Sequence, residues 1–354
     1  MKPTQVLHEL GQSLWVDNIT RTMLDDGTLE RYIDELSLTG LTSNPTIFEK
    51  AIGAGHAYDE QIGELRGQGL DGEELFFELA LTDLRRAAKL FGPINERTDD
   101  VDGWVSLEVS PLLADDTQAT IAQVRELHQK ADCNVFIKIP GTEAGRDAIS
   151  ESIFAGIPVN VTLLFSTGQY RAAADAFMRG IERRIEAGLD PSVPSVASLF
   201  ISRWDVAVAD EVGEDLRNRL GIAVGMRAYG AYRELLDSKR WQRLANEGAR
   251  PQRLLWASTG TKDPGASDVL YVEALAAPFT VNTMPEKTLL AFADHGEVGE
   301  PLRADGGDAE DVLGEFAAAG VDVDALAARL QHEGAETFDG SWRDMLATLA
   351  AQTA

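Results

Sequence analysis

The sequence predicts an α/β fold, a (β/α)8 or TIM barrel with additional helices, built as a single domain over residues 1–354. Three observations support this prediction. Eight short runs of β-forming residues alternate with longer segments of helical periodicity. The length of 354 residues fits such a barrel with additions. Polar side chains recur at the C-terminal ends of the runs, where barrel enzymes place their functional groups.

The first half of the chain supplies four of the β-like runs. These comprise residues 13–17, 40–45, 104–109 and 134–139, and a Pro140-Gly141 turn closes the fourth. Helical patterns cover residues 29–36, a segment that ends at about Phe91, and residues 117–131. A polar stretch, residues 95–103, predicts a loop before the third run.

The second half continues the alternation. Its β-like runs are residues 158–165, 195–201, 253–258 and 278–285. A crossover helix is predicted over residues 142–155, and Ser166 and Gln169 have the spacing of a capping box that opens a helix to Ala187. Two helical regions exceed the needs of a barrel, residues 204–246 and residues 301–354. We leave open whether the second region closes the barrel floor or covers its mouth.

An open, doubly wound sheet is the alternative architecture for alternating strands and helices. That fold usually carries a Gly-rich phosphate turn after its first strand, and none follows residues 13–17. No internal repeat of solenoid length is present. The barrel is therefore the preferred prediction.

Composition excludes several classes of function. The net charge of −26 disfavours a sequence-independent nucleic-acid binder, whose affinity depends on phosphate neutralisation. No apolar run is long enough to span a bilayer, so no membrane association is expected. The single cysteine, Cys133, fits a reducing cytoplasm and reads as a small buried side chain. Five dispersed histidines and an imperfect calcium-loop pattern from Thr98 argue against a metal site.

The polar residues on the predicted strands form a distinctive set. Asp17, Asn44, Glu108 and Lys138 lie on or just after the first four runs, and Asn160, Thr162 and Ser198 lie on the next two. Because Asn160 and Thr162 are two residues apart on one strand, they share a face. Barrel strands are buried on both sides, so a solvated face does not explain these side chains. Together they predict a functional site.

The chemistry that these residues favour is covalent catalysis by a lysine. The sequence contains no Gly-x-Ser-x-Gly nucleophile elbow; Trp256-Ala-Ser-Thr-Gly260 approaches one but lacks the glycine before the serine. Apolar surroundings favour the neutral form of a lysine, which is nucleophilic. Its attack on a ketone gives an iminium, an electron sink that needs no bound cofactor. Glu108 and Asp17 are the carboxylates available for the proton transfers.

Six segments carry a resemblance to a known family. They are Leu14-Trp-Val-Asp17, Leu41-Thr-Ser-Asn-Pro-Thr-Ile-Phe48, Val105-Ser-Leu-Glu-Val109, Val135-Phe-Ile-Lys-Ile-Pro140, Asn160-Val-Thr-Leu-Leu-Phe-Ser166 and Ser198-Leu-Phe-Ile-Ser-Arg203. In this order they resemble transaldolase, the class I Schiff-base enzyme of the pentose phosphate pathway. The resemblance is clear over the first two-thirds of the chain and looser over the rest.

The resemblance implies transfer of a dihydroxyacetone unit from sedoheptulose 7-phosphate to glyceraldehyde 3-phosphate, giving erythrose 4-phosphate and fructose 6-phosphate. Lys138 would form the Schiff base, and Asp17 would take and return the proton of the C4 hydroxyl. Glu108 would act through a water that Thr162 helps to hold. Asn44 and Asn160 would bind the dihydroxyacetone hydroxyls. Thr42 and Ser198 would complete the pocket wall, and Phe200 would be a packing residue.

The resemblance also implies cations that bind the substrate phosphate. Arg203 matches the family's phosphate-binding arginine; the alternative is a surface ion pair with Asp205. After the seventh run the family commonly has Ala-Ser-Phe-Arg, whereas this chain has Ala257-Ser258-Thr-Gly-Thr-Lys262. Lys262 is therefore predicted as the second cation, and Ser258 as a weaker contact.

Two other functions stay open at this point. A fructose 6-phosphate aldolase would use the same Schiff base but release free dihydroxyacetone; such relatives are shorter and have a tyrosine near the catalytic water. A non-catalytic sugar-phosphate-binding barrel would not need Lys138 with both Asp17 and Glu108. The oligomeric state is left between monomer and homodimer.

Overall fold

The computed structural model describes residues 1–352, so residues 353 and 354 of the predicted helical region 301–354 lie outside the described residues. Within residues 1–352 it contains eight parallel strands. These are β1 (Gln12–Asp17), β2 (Leu38–Thr42), β3 (Val105–Glu108), β4 (Val135–Pro140), β5 (Val159–Leu164), β6 (Ser195–Phe200), β7 (Gln252–Ala257) and β8 (Thr280–Met284). Each overlaps one predicted run.

Helices alternate with these strands. In chain order they are α1 (Pro3–Glu9), α2 (Arg21–Asp25), α3 (Thr28–Leu36), α4 (Pro45–Gly53), α5 (Asp59–Gly67), α6 (Gly72–Arg97), α7 (Thr117–Ala131), α8 (Glu143–Phe154), α9 (Thr167–Glu186), α10 (Ser202–Val208), α11 (Leu220–Asp237), α12 (Lys239–Asn246), α13 (Leu270–Ala274), α14 (Glu286–His295), α15 (Ala309–Ala318) and α16 (Val323–Ala351). Short 3-10 turns occur at Pro111–Leu113 and Glu214–Leu216. Ser166 and Gln169 form the predicted capping box of α9.

The strands form a barrel in the order β2-β1-β8-β7-β6-β5-β4-β3. A parallel bridge between Gly40 and Trp104 joins the two ends, and the Leu41 amide donates to the Trp104 carbonyl oxygen at 3.0 Å. Glycine is required here, because a Cβ on residue 40 would lie 2.7 Å from that oxygen and 2.6 Å from Nε1 of Trp15. The predicted (β/α)8 fold with additional helices is confirmed.

The N-terminal end of the barrel is filled by aromatic side chains. Phe136 lies between Trp104 and Trp15, with ring-centroid distances of 4.4 and 5.9 Å. Asp102 accepts a hydrogen bond from Nε1 of Trp15 at 2.9 Å and another from Ser13. This floor leaves the C-terminal end as the accessible mouth.

Two predicted boundaries were wrong. The second run, predicted over residues 40–45, ends as a strand at Thr42, and Pro45 already belongs to α4. Helix α6 runs to Arg97, so the first residues of the predicted 95–103 loop are helical. Pro93 does not end this helix, because the following turn still buries Ile94 in the core. No helix within residues 1–352 is both long and apolar enough to cross a membrane.

Helix α16 lies over the mouth of the barrel. Nε2 of Gln331 donates to the carbonyl oxygen of Leu163 at 2.9 Å, and Oγ1 of Thr46 hydrogen-bonds to Oγ of Ser341 at 2.8 Å. Leu163 lies at the end of β5, and Thr46 lies in α4, which follows β2. For α16, the question left open for the last helical region is therefore resolved in favour of the mouth.

Candidate active site

Lys138 and Glu108 form a buried ion pair at the C-terminal ends of β4 and β3. The parallel register places these two residues side by side. Nζ of Lys138 donates to Oε2 of Glu108 and to the carbonyl oxygen of Ser43, both at 3.0 Å. Lys138 and Glu108 are each only 5% exposed. A lysine that extended its ammonium into water would be more exposed, so Lys138 is held inside the barrel.

Burial changes the proton affinity of both carboxylic acids of the site. It raises the pKa of Glu108, against the opposing effect of the Lys138 charge. Burial likewise raises the pKa of Asp17, and the Lys138 charge and a hydrogen bond from Thr42 partly offset that rise. Raised carboxyl pKa values bring proton uptake closer to neutral pH, as general acid–base catalysis requires.

Asp17, the last residue of β1, is oriented by a chain of hydroxyls. Oγ1 of Thr42 donates to Oδ1 of Asp17 at 2.7 Å and lies 2.6 Å from Oγ1 of Thr283 on β8. A threonine hydroxyl has one proton, so Thr283 must donate to Thr42 while Thr42 donates to Asp17. Thr42 thus positions the carboxylate in addition to lining the wall.

Asn160, Thr162 and Ser198 lie on the neighbouring strands. Asn160 pairs with Lys138 in the register of β4 and β5; its Oδ1 accepts from Oγ of Ser198 at 2.7 Å, and its Nδ2 donates to Oγ of Ser106 at 3.3 Å. Among the described residues, the buried Oγ1 of Thr162 has no hydrogen-bond partner. Such an unpaired buried hydroxyl is available for a ligand.

A cavity of about 140 Å³ opens above this cluster at the mouth of the barrel. Nine of the eleven residues predicted for the site line it: Asp17, Thr42, Asn44, Lys138, Thr162, Ser198, Arg203, Ser258 and Lys262. The other two lie directly beneath, with Glu108 bonded to Lys138 and Asn160 bonded to Ser198. Asn44 caps α4 by accepting from the Ile47 amide at 3.0 Å through Oδ1, so its amide nitrogen is the group left to donate.

The cavity is positively charged although the chain as a whole is acidic. Among residues 1–352, its lining contains Lys138, Arg203 and Lys262 and a single carboxylate, Asp17. Burial lowers the pKa of Arg203, whose guanidinium lies 5.4 Å from the ring centroid of Phe200. Because burial disfavours the cation, an anion bound beside the guanidinium would offset that cost.

The alternative Arg203–Asp205 ion pair is wrong. Asp205 instead accepts from the amides of Leu220 and Gly221, at 2.9 and 3.1 Å, and from the Tyr271 hydroxyl at 2.9 Å. Those bonds turn the carboxylate towards α11 and α13. Arg203 is therefore left for the cavity.

The lining residues that sequence reasoning did not assign to the site include Phe338 of α16 and Thr283 of β8. An aromatic residue at helical spacing is typical of a core position, so Phe338 carried no functional signal. Thr283 lies in the eighth predicted run. A polar side chain on a buried strand was the feature that could have identified it as a site residue. Phe200 packs on Phe165, with centroids 5.3 Å apart, and also lines the cavity, so its prediction as a packing residue was incomplete.

Comparison with known proteins places this geometry in a family. The family model described as Transaldolase/Fructose-6-phosphate aldolase matches residues 14–349. A protein named Transaldolase from Parafrankia sp. is 45% identical over 99% of this chain and 98% of its own length. The Transaldolase of Mycolicibacterium paratuberculosis is 46% identical, covering 96% of this chain and 94% of its own.

A third relative extends the pattern. The protein named Transaldolase from Thermobifida fusca is 45% identical over 99% of this chain and 98% of its own length. Full-length matches at this identity confirm the predicted family resemblance and the prediction that the chain is a transaldolase enzyme. The chain belongs to the transaldolase/fructose-6-phosphate aldolase family.

Proposed function

We propose that the chain transfers dihydroxyacetone from sedoheptulose 7-phosphate to glyceraldehyde 3-phosphate, giving erythrose 4-phosphate and fructose 6-phosphate in the pentose phosphate pathway. The observation that carries the proposal is the buried Lys138–Glu108 pair at the base of a cationic cavity that also contains Asp17. A nucleophile with two carboxyl groups of raised pKa fits Schiff-base chemistry.

In the first step, Glu108 takes a proton from the Lys138 ammonium across their 3.0 Å hydrogen bond. The free amine attacks the ketose carbonyl carbon, and a carbon–nitrogen bond forms as the carbonyl electron pair moves to oxygen. Glu108 gives its proton to that oxygen to form a hydroxyl, then moves a second proton from the attacking nitrogen to the hydroxyl, so that water leaves and the iminium remains. The unpaired hydroxyl of Thr162 supports its role in holding a water through which Glu108 acts.

In the second step, Asp17 takes the proton of the C4 hydroxyl. The C3–C4 bond breaks, its electron pair moves into the iminium to give an enamine, and the aldose phosphate leaves. The hydrogen bond from Thr42 to Oδ1 leaves the second carboxylate oxygen to face the substrate. The enamine then attacks the acceptor aldehyde, Asp17 returns its proton, and hydrolysis frees the new ketose phosphate from Lys138.

The remaining residues bind the substrate. The side-chain amides of Asn44 and Asn160 bind the dihydroxyacetone hydroxyls. Asn160 is fixed by Ser198 and lies opposite Lys138 in the strand register. Arg203, Ser258 and Lys262 form the phosphate grip, because the guanidinium fork matches phosphate oxygens and Lys262 adds a point charge. No metal or bound cofactor is needed in this scheme, because the iminium accepts the electron pair. The cytoplasmic location and the choice between monomer and homodimer stay predictions.

Transfer must be distinguished from simple aldol cleavage, since the family description includes fructose 6-phosphate aldolase. We expect fructose 6-phosphate and erythrose 4-phosphate together to give sedoheptulose 7-phosphate, with little free dihydroxyacetone when the acceptor is omitted. Chromatographic quantification of both products tests this. Rapid release of dihydroxyacetone without an acceptor would favour the aldolase instead.

A further inference from the structure

Phe338 places an aromatic ring over the reacting amine. Its ring centroid lies 5.9 Å from Nζ of Lys138, and the side chain lines the cavity while being only 6% exposed. The residue comes from α16, far along the sequence from the strands that carry the reactive groups. Phe200, another aromatic ring of the lining, lies instead against the Arg203 guanidinium at 5.4 Å.

Contacts on both sides of Phe338 hold α16 in place. Before it, Gln331 bonds to the Leu163 carbonyl oxygen at 2.9 Å. After it, the Trp342 ring packs against Phe76 and Phe77 of α6, with centroids 5.0 and 5.6 Å away. The ring is therefore a fixed part of the cavity roof.

Gly334 shows how closely this roof approaches the site. A Cβ at this position would meet Leu163 at 3.0 Å and Nη1 of Arg203 at 3.4 Å. Glycine therefore lets α16 lie directly on the end of β5 and on the guanidinium. With Phe338 one helical turn further on, the same face of the helix covers both the cationic end and the lysine.

Transfer depends on the lifetime of the enamine on Lys138. If water donates a proton to the nucleophilic carbon, the electron pair forms a carbon–hydrogen bond and the iminium returns. The remaining hydroxide adds to the iminium carbon to give a carbinolamine. Its hydroxyl proton moves to nitrogen as the carbon–nitrogen bond breaks, releasing dihydroxyacetone and free lysine. Excluding water from that carbon prevents this loss, whereas an incoming aldehyde still reacts.

We infer that Phe338 is the residue that shields the Lys138 enamine from water and thereby makes the chain a transferase rather than an aldolase. The inference rests on the proposed function and adds a residue that determines whether the enamine is transferred or hydrolysed. Phe338 makes no bond to substrate in this account; it acts by occupying the space above the amine.

The test measures how much of the Lys138 adduct is transferred to the acceptor and how much is released as free dihydroxyacetone. Fructose 6-phosphate is supplied as donor at a fixed concentration of erythrose 4-phosphate, and free dihydroxyacetone and sedoheptulose 7-phosphate are quantified. Both products arise from the same adduct, so their ratio does not depend on the fraction of enzyme that is folded. Variants are Phe338→Ala, Phe338→Leu and, as a matched control, Leu330→Ala, which removes a buried side chain of α16 outside the cavity lining.

We expect Phe338→Ala to raise the ratio of dihydroxyacetone to transfer product at least about tenfold, since water gains access to the carbon. Phe338→Leu should restore a ratio near that of the parent chain, because an apolar side chain refills the space. Leu330→Ala should leave the ratio unchanged. An unchanged ratio in Phe338→Ala, or an equal rise in Leu330→Ala, would overturn the inference. Failure of the parent chain to form any transfer product would refute the proposed function instead.

Discussion

Replacing Arg203 by methionine removes the guanidinium from the cavity while keeping a long, flexible side chain. In the proposed complex its fork makes two charge-assisted hydrogen bonds to the substrate phosphate. Each such bond contributes about 1.5–3 kcal/mol, and Ser258 and Lys262 remain as partial replacements. We therefore expect a loss of about 3 kcal/mol in transition-state binding, or roughly 100-fold in kcat/KM.

The assay pairs the substitution with removal of the phosphate itself. Transfer from sedoheptulose 7-phosphate is measured to glyceraldehyde 3-phosphate and to glyceraldehyde, with Arg203 present and with methionine in its place. If the donor is kept at a saturating concentration, the arginine affects only the reaction of the phosphorylated acceptor. The double-mutant cycle of arginine substitution and phosphate removal then isolates the contribution of the arginine–phosphate contact. Arg233→Met is the control, because that guanidinium lies beside Tyr229 and Phe279, away from the cavity.

Two outcomes would refute this reasoning about Arg203. Equal losses with both acceptors would mean that the arginine supports the fold of the site rather than the phosphate. An unchanged kcat/KM for glyceraldehyde 3-phosphate would assign the phosphate grip elsewhere, with Lys262 as the next cation to test.

Three further substitutions test the acid–base groups. Asp17→Ala should impair carbon–carbon cleavage more than Schiff-base formation; equal trapping and equal turnover would remove its assigned role. Thr42→Val removes a hydrogen bond that lowers the pKa of Asp17, so that pKa rises and the acidic limb of the kcat–pH profile should move to higher pH; an unmoved limb would contradict this. Glu108→Gln leaves Lys138 without its carboxylate, so turnover should fall at least about 100-fold, and urea denaturation should show a loss of about 3 kcal/mol. Unchanged turnover and stability would be inconsistent with a functional ion pair.

The barrel and most of its site were predictable because they depend on local periodicity. A strand places every second residue inside, so the spacing of Asn160 and Thr162 sufficed to put them on one face. Parallel strands bring their C-terminal ends to one edge, which is why Asp17, Glu108 and Lys138 converge although they are far apart in sequence.

The roof of the cavity depends on tertiary packing that no local pattern encodes. Phe338 and Trp342 are both typical of core positions in an amphipathic helix. Only the packed structure shows that Phe338 lies above Lys138 whereas Trp342 packs against α6. The hydroxyl chain through Thr283 likewise depends on β8 lying beside β1 in the closed barrel. Such contacts between distant segments had to be seen in the structure.

The predicted phosphate grip illustrates an intermediate case. Arg203 lies three residues after the end of β6, so the position of that strand predicts its place at the mouth. The strand does not predict whether Arg203 binds phosphate or Asp205. The N-terminal amides of α11 and the Tyr271 hydroxyl decide that choice by binding Asp205. These groups belong to the additional helical region and its neighbour, whose packing was not predictable.

The most direct test of the central claim is to trap the covalent intermediate on Lys138. The full chain is incubated with fructose 6-phosphate, reduced with borohydride, digested, and mapped by mass spectrometry. We predict a single dihydroxyacetone-derived adduct on the peptide that contains Lys138, and none after Lys138→Met. An adduct on a different lysine, or no adduct while transfer proceeds, would contradict the account.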